Sequence, residues 1–149
     1  MAKKRFYIPF NVPSSKNSKA ASKKGVFHSA AVRHYLQKIG VKKYHKTEYE
    51  NYKTRPNLFE EAVAPMREYI HGYSQNQGIA PPYIMGFHFT RDTRRKFDFI
   101  NIAQIICDLL VAHKVIEDDN MDYLIPVPLM INGKWYSVDK EKAGVIIEI

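Results

Sequence analysis

Two segments of the chain alternate between apolar and polar side chains, the pattern that predicts β-strands. In residues 5–12 the apolar side chains occupy every second position, at Phe6, Ile8, Phe10 and Val12, so they share one face of a strand. Residues 83–90 alternate in the same way and predict a second strand. Pro9 lies inside the first segment. Because proline has no backbone N–H to donate to a strand ladder, it favours an edge position.

Two further segments repeat apolar residues at the period of an α-helix. Ser29 is a candidate N-cap for a helix that Gly40 stops, and its predicted buried face is Val32, Tyr35, Leu36 and Ile39. Asn57, with Glu60 three residues later, forms a near capping box for a second helix, which runs to residue 72. Pro65 lies inside that second helix and predicts a kink or a break.

Residues 98–122 contain the third predicted helix and the main candidate chemistry. Asp98 is placed to cap the helix, whose apolar face is Ile102, Ile105, Ile106 and Leu109. A separate polar stripe follows from the spacing of Asn101, Gln104 and Asp108. A second acidic group comes after the helix, at Glu117, Asp118, Asp119 and Asp122. It is either a solvated turn or, between apolar segments on a basic chain, part of a divalent-metal site.

The C-terminal segments complete the predicted sheet. Residues 123–131 form a strand that Pro126 and Pro128 confine to an edge. Asn132-Gly133 predicts a hairpin turn that returns through residues 135–138, and residues 144–149 form a final strand. The whole pattern predicts an α+β fold: a single domain over residues 1–149, with a small mixed sheet of about four to five strands packed with two to three helices.

Positive charge is concentrated in the N-terminal third of the chain. The net charge is +8; residues 1–55 hold 14 Lys and Arg against 2 Asp and Glu, whereas residues 98–149 hold 4 against 9. Residues 12–25 form a loop with four lysines and no acid, which is either solvated or an arm that contacts phosphate. Residues 41–55 interleave lysines with tyrosines, a pattern found both in base-stacking surfaces and in loops packed on a core.

Several classes of protein do not fit this composition. No apolar run reaches the length of a membrane span, and the first residues lack the apolar segment of a signal peptide. The single Cys107 lies on the third helix and is interpreted as a core residue in a reducing compartment. The six histidines lack zinc-ligand spacing, so none is assigned as a ligand.

The central stretch resembles the RusA family of Holliday-junction resolvases. That family has a basic run, then D-x-D-N-x-x-K opening a helix, a further Asp on the helix and a D-D pair after it. Here R-R-K-F-D-F-I-N-I-A-Q-I-I-C-D begins at Arg94 and E-D-D begins at Glu117. Asp98, Asn101, Asp108 and the pair Asp118 and Asp119 match the motif positions. V-P-S-S-K-N at residues 12–17 resembles the family's early P-x-x-K-N segment, so the likeness covers nearly the whole chain.

Two positions depart from the family pattern. Ile100 stands where the family has its second catalytic Asp, and Gln104 stands where it has a Lys. The first departure removes a metal-ligating carboxylate, and the second removes a cation near the scissile phosphate. Asp92, Glu117 or Asp122 would have to supply the missing ligand.

The resemblance implies a RusA-like nuclease that resolves four-way junctions and other branched DNA in recombination and repair. Mg²⁺ or Mn²⁺ is the expected cofactor, a homodimer the expected assembly, and the cytoplasm of a bacterium or phage-infected cell the expected location. Asp98, Asp119 and Asp118 are the expected catalytic residues, and the expected metal ligands are Asp98, Asp119, Asp118 and Glu117. The expected DNA-binding residues are Lys16, Asn17, Lys19, Lys23, Lys24, Arg33, Arg94, Arg95 and Lys96. Asn101, Gln104 and Asp108 are expected to orient the carboxylates.

Two alternatives stay open from the sequence. The first is a protein that keeps the fold and the basic surface but binds branched DNA without cleaving it. The second is a protein-interaction module whose basic face meets an acidic partner.

Overall fold

A computed structural model describes residues 3–14, 19–22, 25–28, 30–41, 56–73 and 79–149. The predicted N-cap Ser29 and the interleaved lysines and tyrosines of residues 42–55 lie outside these ranges. So do four of the predicted DNA-binding residues: Lys16, Asn17, Lys23 and Lys24.

The fold is α+β, as predicted, and is built on a mixed five-stranded sheet. The strands are β1 (Arg5–Pro9), β4 (Tyr83–Arg91), β5 (Leu124–Pro128), β6 (Ser137–Val138) and β7 (Gly144–Glu148). Their order is β1-β7-β4-β5, with β6 also paired to β4. β7 is antiparallel to both neighbours, whereas β5 and β6 run parallel to β4. Both proline-containing strands, β1 and β5, lie at edges, as predicted.

Three α-helices lie in the described part of the chain, α1 (Ala30–Ile39), α2 (Leu58–Glu68) and α3 (Phe99–Ala112). The buried residues of α1 are the four that the spacing predicts, Val32, Tyr35, Leu36 and Ile39. The predicted capping of α2 is confirmed, because the Asn57 side chain accepts a hydrogen bond from the Glu60 N–H at 2.9 Å. α2 runs through Pro65 to its end, so the predicted break is wrong, and a π-helical turn (Tyr69–Tyr73) follows.

The core is one cluster of buried side chains that includes the apolar face of α3 and the central strand β4. Ile102, Ile106 and Leu110 of α3 are fully buried with Phe87 and Met85 of β4. Cys107 is also buried, as predicted. None of the described helices is long and apolar enough to span a membrane.

Ile84 near the start of β4 is exposed, but from Gly86 to Thr90 both faces of the strand are buried. The reason lies in the segment that follows β5. His88 contacts the Leu129 carbonyl oxygen through Nδ1 at 2.9 Å and the Ser137 hydroxyl through Nε2 at 2.7 Å. A Cβ on Gly86 would lie 3.1 Å from the Leu129 Cβ. Polar and small residues on the second face of the strand are therefore covered by a packed loop.

Three other sequence predictions need correction. β1 ends at Pro9 rather than residue 12, because Phe10 adopts a positive φ of 77° that a strand does not allow. The predicted loop of residues 12–25 contains strand β2 (Lys19–Ser22), which pairs antiparallel with β3 (Gly25–His28). The Asn132-Gly133 turn forms, but beyond the bridge between Ile131 and Lys134 the chain pairs with β4 and not back along β5.

Candidate functional site

The polar side chains of α3 form a continuous stripe, as their spacing predicts. Asn101 Nδ2 donates to Asp98 Oδ2 at 3.1 Å, and Gln104 Nε2 donates to Asp108 Oδ1 at 2.8 Å. Asp98, Gln104 and Asp108 are exposed, and Asn101 is half-buried. Asp98 occupies the N-cap position, but its side chain makes no capping hydrogen bond. The carboxylate instead faces along the stripe, toward the amide three residues later.

The turn after α3 brings one acidic residue to this stripe. Gln104 Nε2 also lies 3.4 Å from Asp119 Oδ2, so a single amide contacts carboxylates from the helix and from the turn. The turn packs in this way because Val115 and Ile116, immediately before the acids, are buried in the core. Asp98 and Asp119, 21 positions apart in the chain, thus belong to one polar surface, on which Asn101 and Gln104 lie between them.

The other two predicted ligands in the turn have different contacts. The Asp118 carboxylate accepts from the Asp119 backbone N–H at 2.8 Å and from Asn120 Nδ2 at 3.0 Å, so both its oxygens hold the turn. Glu117 is exposed, and its charge, after the larger effect of burial, helps to raise the pKa of Tyr83. Asp118 shapes the turn, and Glu117 lies close enough to Tyr83 of β4 for its charge to act on that phenol.

The acidic side chains provide suitable donors for a hard divalent cation without converging on one point. Within the described residues, no group of three or more His, Cys, Asp or Glu lies close enough to hold a metal ion. Asp98 lies six residues before Gln104, a rise of about 9 Å along a helix. Carboxylate oxygens are nevertheless the ligands that Mg²⁺ prefers. The chemical type of these donors suits Mg²⁺ or Mn²⁺, whereas among the described residues their arrangement does not close around one ion.

The two departures from the family motif have visible structural consequences. Ile100 is 77% exposed in the first turn of α3. A large apolar side chain thus stands in solvent where a carboxylate is expected. Gln104, in place of a lysine, donates to both Asp108 and Asp119. An amide supplies hydrogen bonds to these carboxylates but no positive charge.

A basic run leads directly into α3. Arg94, Arg95 and Lys96 are all exposed in the connection between β4 and the helix. Within the described part of the chain, the ion pairs involve other residues, so these three cations have no acidic partner there. They are available to bind phosphate beside the acidic stripe.

Arg91 ties the start of the early basic segment to this run. Its Nη1 donates to the Val12 carbonyl oxygen, and its guanidinium lies 4.9 Å from the centre of the Phe97 ring. Burial lowers the pKa of Arg91. The Asp92 N–H also donates to Asn11 Oδ1 at 3.0 Å. These contacts place the beginning of V-P-S-S-K-N next to the chain that leads into α3.

The remaining predicted DNA-binding residues lie elsewhere. Lys19 is in β2. Arg33 is half-buried on α1, and its Nε is buried with no hydrogen-bond acceptor within the described residues.

An aromatic cavity beside the stripe was not predicted from the sequence. It has a volume of about 620 Å³, and its lining includes Lys96, Phe97, Asp98, Phe99, Trp135 and Tyr136. Phe97 and Tyr136 meet edge to face, with ring centres 4.9 Å apart. The available signal was the Trp-Tyr pair just after the Asn-Gly turn, but the pairing of these residues with Phe97 depends on tertiary structure.

Neither a protein-family model nor a curated protein matches this sequence. The likeness to the RusA family therefore rests on the motifs themselves, and the activity that it implies is a proposal.

Proposed function

We propose that this protein is a structure-selective endodeoxyribonuclease that uses Mg²⁺ or Mn²⁺ to cut four-way junctions and other branched DNA. The observation that supports this best is the contact of Gln104 with both Asp108 and Asp119, because it joins the acidic turn to the stripe that begins at Asp98. Three exposed cations without acidic partners in the described chain, Arg94, Arg95 and Lys96, lie two to four positions before Asp98. Carboxylates next to phosphate-binding cations are the groups that metal-assisted phosphodiester hydrolysis requires.

Each group on this surface has a separate task in the proposal. Arg94, Arg95 and Lys96 bind the DNA backbone and hold a phosphate against the start of α3. Asp98 and Asp119 would hold the cation, with Asp118 and Glu117 assisting. A bound divalent cation supplies Lewis-acid polarisation of the phosphate and lowers the pKa of an attacking water.

The amides of the stripe position the carboxylates. Asn101 holds Asp98, and Gln104 holds Asp119 and Asp108, so their removal would increase the rotational freedom of the metal-binding oxygens. A four-way junction needs two opposed nicks, and a two-fold homodimer would present two such surfaces.

The direct test is incubation of the protein with a synthetic four-way junction and Mg²⁺ or Mn²⁺. Symmetrical nicks should appear and should vanish in Asp98→Asn and in Asp119→Asn. Glu61→Gln is the matched control, because Glu61 is an exposed carboxylate on α2 outside the proposed site. Cleavage by both aspartate variants at the wild-type rate would refute the proposal.

The exposed Ile100 favours a second candidate, a protein that binds branched DNA without cutting it. This candidate predicts tight, salt-sensitive junction binding in a gel shift and no product with any divalent metal. The variant Ile100→Asp then distinguishes a protein that lacks only one metal-binding carboxylate from a protein in which the whole metal site is absent. If the substitution creates metal-dependent nicking, the remaining carboxylates are correctly placed and the wild-type protein lacks only this one.

A further inference from the structure

The cavity next to Asp98 is lined by exposed aromatic rings and by other rings that pack against the protein. Trp135 is 58% exposed and Tyr136 is 46% exposed. Phe97 holds Tyr136 edge to face, and Phe99 packs against Phe89 of β4 with ring centres 5.9 Å apart. Large aromatic side chains are usually buried, so rings that line an open cavity mark a binding surface.

The charged members of the lining belong to the two surfaces already described. Lys96 is the last cation of the basic run, and Asp98 is the first acid of the polar stripe. The cavity is therefore bordered by one residue of the basic run and one residue of the acidic stripe. A ligand that fills it would place an aromatic or apolar body against the rings and an anionic group near Lys96.

We propose that this cavity binds an unpaired nucleobase, stacked on Trp135 and Tyr136, while the adjoining phosphate is bound by Lys96 and Arg95. The proposal rests on the proposed function for the kind of nucleic acid, and it adds a site that recognises single-stranded character at the branch point. The volume of the cavity lies in the range of about 300–1,000 Å³ that is typical of small-molecule sites. The cavity is therefore large enough for one base and part of its sugar.

Physical chemistry favours this occupant over a purely apolar one. Every base has a π-face, so stacking on Trp and Tyr tolerates any sequence, whereas a nearby lysine selects for the phosphate. The exposed carboxylate of Asp98 would accept a hydrogen bond from an exocyclic amino or ring N–H group on the base edge. A paired base inside a duplex presents neither its face nor that edge, so the cavity distinguishes unpaired from paired DNA.

The chain contains a single tryptophan, and it lines the cavity, so its fluorescence reports on the site directly. Oligothymidylate should be titrated into the protein in EDTA, which keeps cleavage out of the measurement. The expected result is saturable quenching of Trp135 and little change with a blunt duplex at the same phosphate concentration. Equal quenching by both ligands, or none by oligothymidylate, would overturn the proposal.

Variants then measure how much the rings contribute. Binding of a fluorescently labelled oligothymidylate should weaken by about five-fold to a hundred-fold in Trp135→Ala and Tyr136→Ala. Trp135→Phe should retain most of the affinity, because it keeps a stacking ring. Ile84→Ala is the control, since Ile84 is 60% exposed on β4 and outside the cavity lining.

The failure of this proposal is distinguishable from failure of the nuclease proposal. Tight junction binding that Trp135→Ala leaves unchanged overturns the base-binding cavity alone. Base binding without cleavage under any metal refutes the nuclease and leaves the cavity supported. A second copy of this chain is the competing occupant. If Trp135→Ala halves the mass in sedimentation while oligothymidylate affinity stays at the wild-type value, the cavity is a dimer contact and the proposal is wrong.

Discussion

Replacement of Gln104 by a carboxylate tests whether the acidic turn truly lies against the helix stripe. The Gln104 side chain donates to Asp108 at 2.8 Å and to Asp119 at 3.4 Å. Gln104→Glu has nearly the same shape but converts two attractive contacts into two like-charge contacts. The effect should be large only if both carboxylates are where the structure has them.

The expected cost follows from the separations. Two unit charges about 4 Å apart repel by about 1 kcal/mol in water and about 4 kcal/mol at an effective dielectric constant near 20. Gln104 and Asp108 are exposed, so values near the lower limit apply, and the two like-charge pairs together cost about 2 kcal/mol before the lost hydrogen bonds are counted. For a chain of this size, that free energy corresponds to a fall in Tm of roughly 6 °C.

Thermal unfolding at pH 7 in low salt and EDTA measures this cost, with Gln104→Met as the neutral control that loses only the hydrogen bonds. The difference between the two variants should shrink at 1 M salt, where the Debye length is about 3 Å. Added Mg²⁺ should stabilise Gln104→Glu more than Gln104→Met. Equal Tm values for the two variants in EDTA would refute both like-charge contacts, and a Gln104→Glu cost that Asp119→Asn leaves unchanged would refute the placement of Asp119 beside the stripe.

Three further predictions concern the rest of the fold. Gly40 has a φ of +79° and a Cβ there would overlap a backbone carbonyl oxygen, whereas a Cβ on Gly133, at +76°, would meet nothing within 4 Å. Chemical denaturation should therefore show a loss of about 1 kcal/mol for Gly133→Ala and at least about 2 kcal/mol for Gly40→Ala; equal losses would contradict this. The hydrogen bonds from Arg67 lower the pKa of Glu60, so their stabilisation is present above the unfolded value near pH 4.3 and is lost as the pH falls through the lowered pKa. Arg67→Met should accordingly reduce the difference in unfolding free energy between pH 7 and pH 3 by about 1 kcal/mol or less, and an unchanged difference would count against the pair. Burial, assisted by nearby carboxylates, raises the pKa of Cys107 to about 12, so a thiol reagent at pH 8 should label the native protein orders of magnitude more slowly than the denatured one. Rapid labelling of the native protein would show that this thiol is accessible.

Local patterns in the sequence determined the helices and most of the sheet. The spacing of Val32, Tyr35, Leu36 and Ile39 is enough to define the buried face of α1, because a helix repeats every 3.6 residues whatever it packs against. The pairing of Asn57 with Glu60 is similarly local, since both groups lie within one turn. The prolines in β1 and β5 predicted edge positions for both strands, because a proline has no N–H to donate to the ladder of a central strand.

Some features of the candidate site also follow from local sequence, whereas others depend on the tertiary structure. The stripe of Asn101, Gln104 and Asp108 follows from helical spacing, and the exposed basic run before it follows from composition. The contact between Gln104 and Asp119 does not, because it depends on how the turn folds back after α3. That Asp98 faces Asn101 instead of capping the helix was also invisible in the sequence, which offers the carboxylate both partners.

Tertiary structure alone decided the contacts between distant segments. Phe97 and Tyr136 are 39 positions apart and meet only because β6 runs beside the end of β4, so no local period predicts the aromatic cavity. His88 is buried because the chain after β5 covers the second face of β4 at that point, which the alternation of residues 83–90 does not reveal. Spacing along a helix or strand fixes which side chains share a face. Which segment covers that face depends on the free energy of packing the whole chain, to which residues far apart in sequence contribute together.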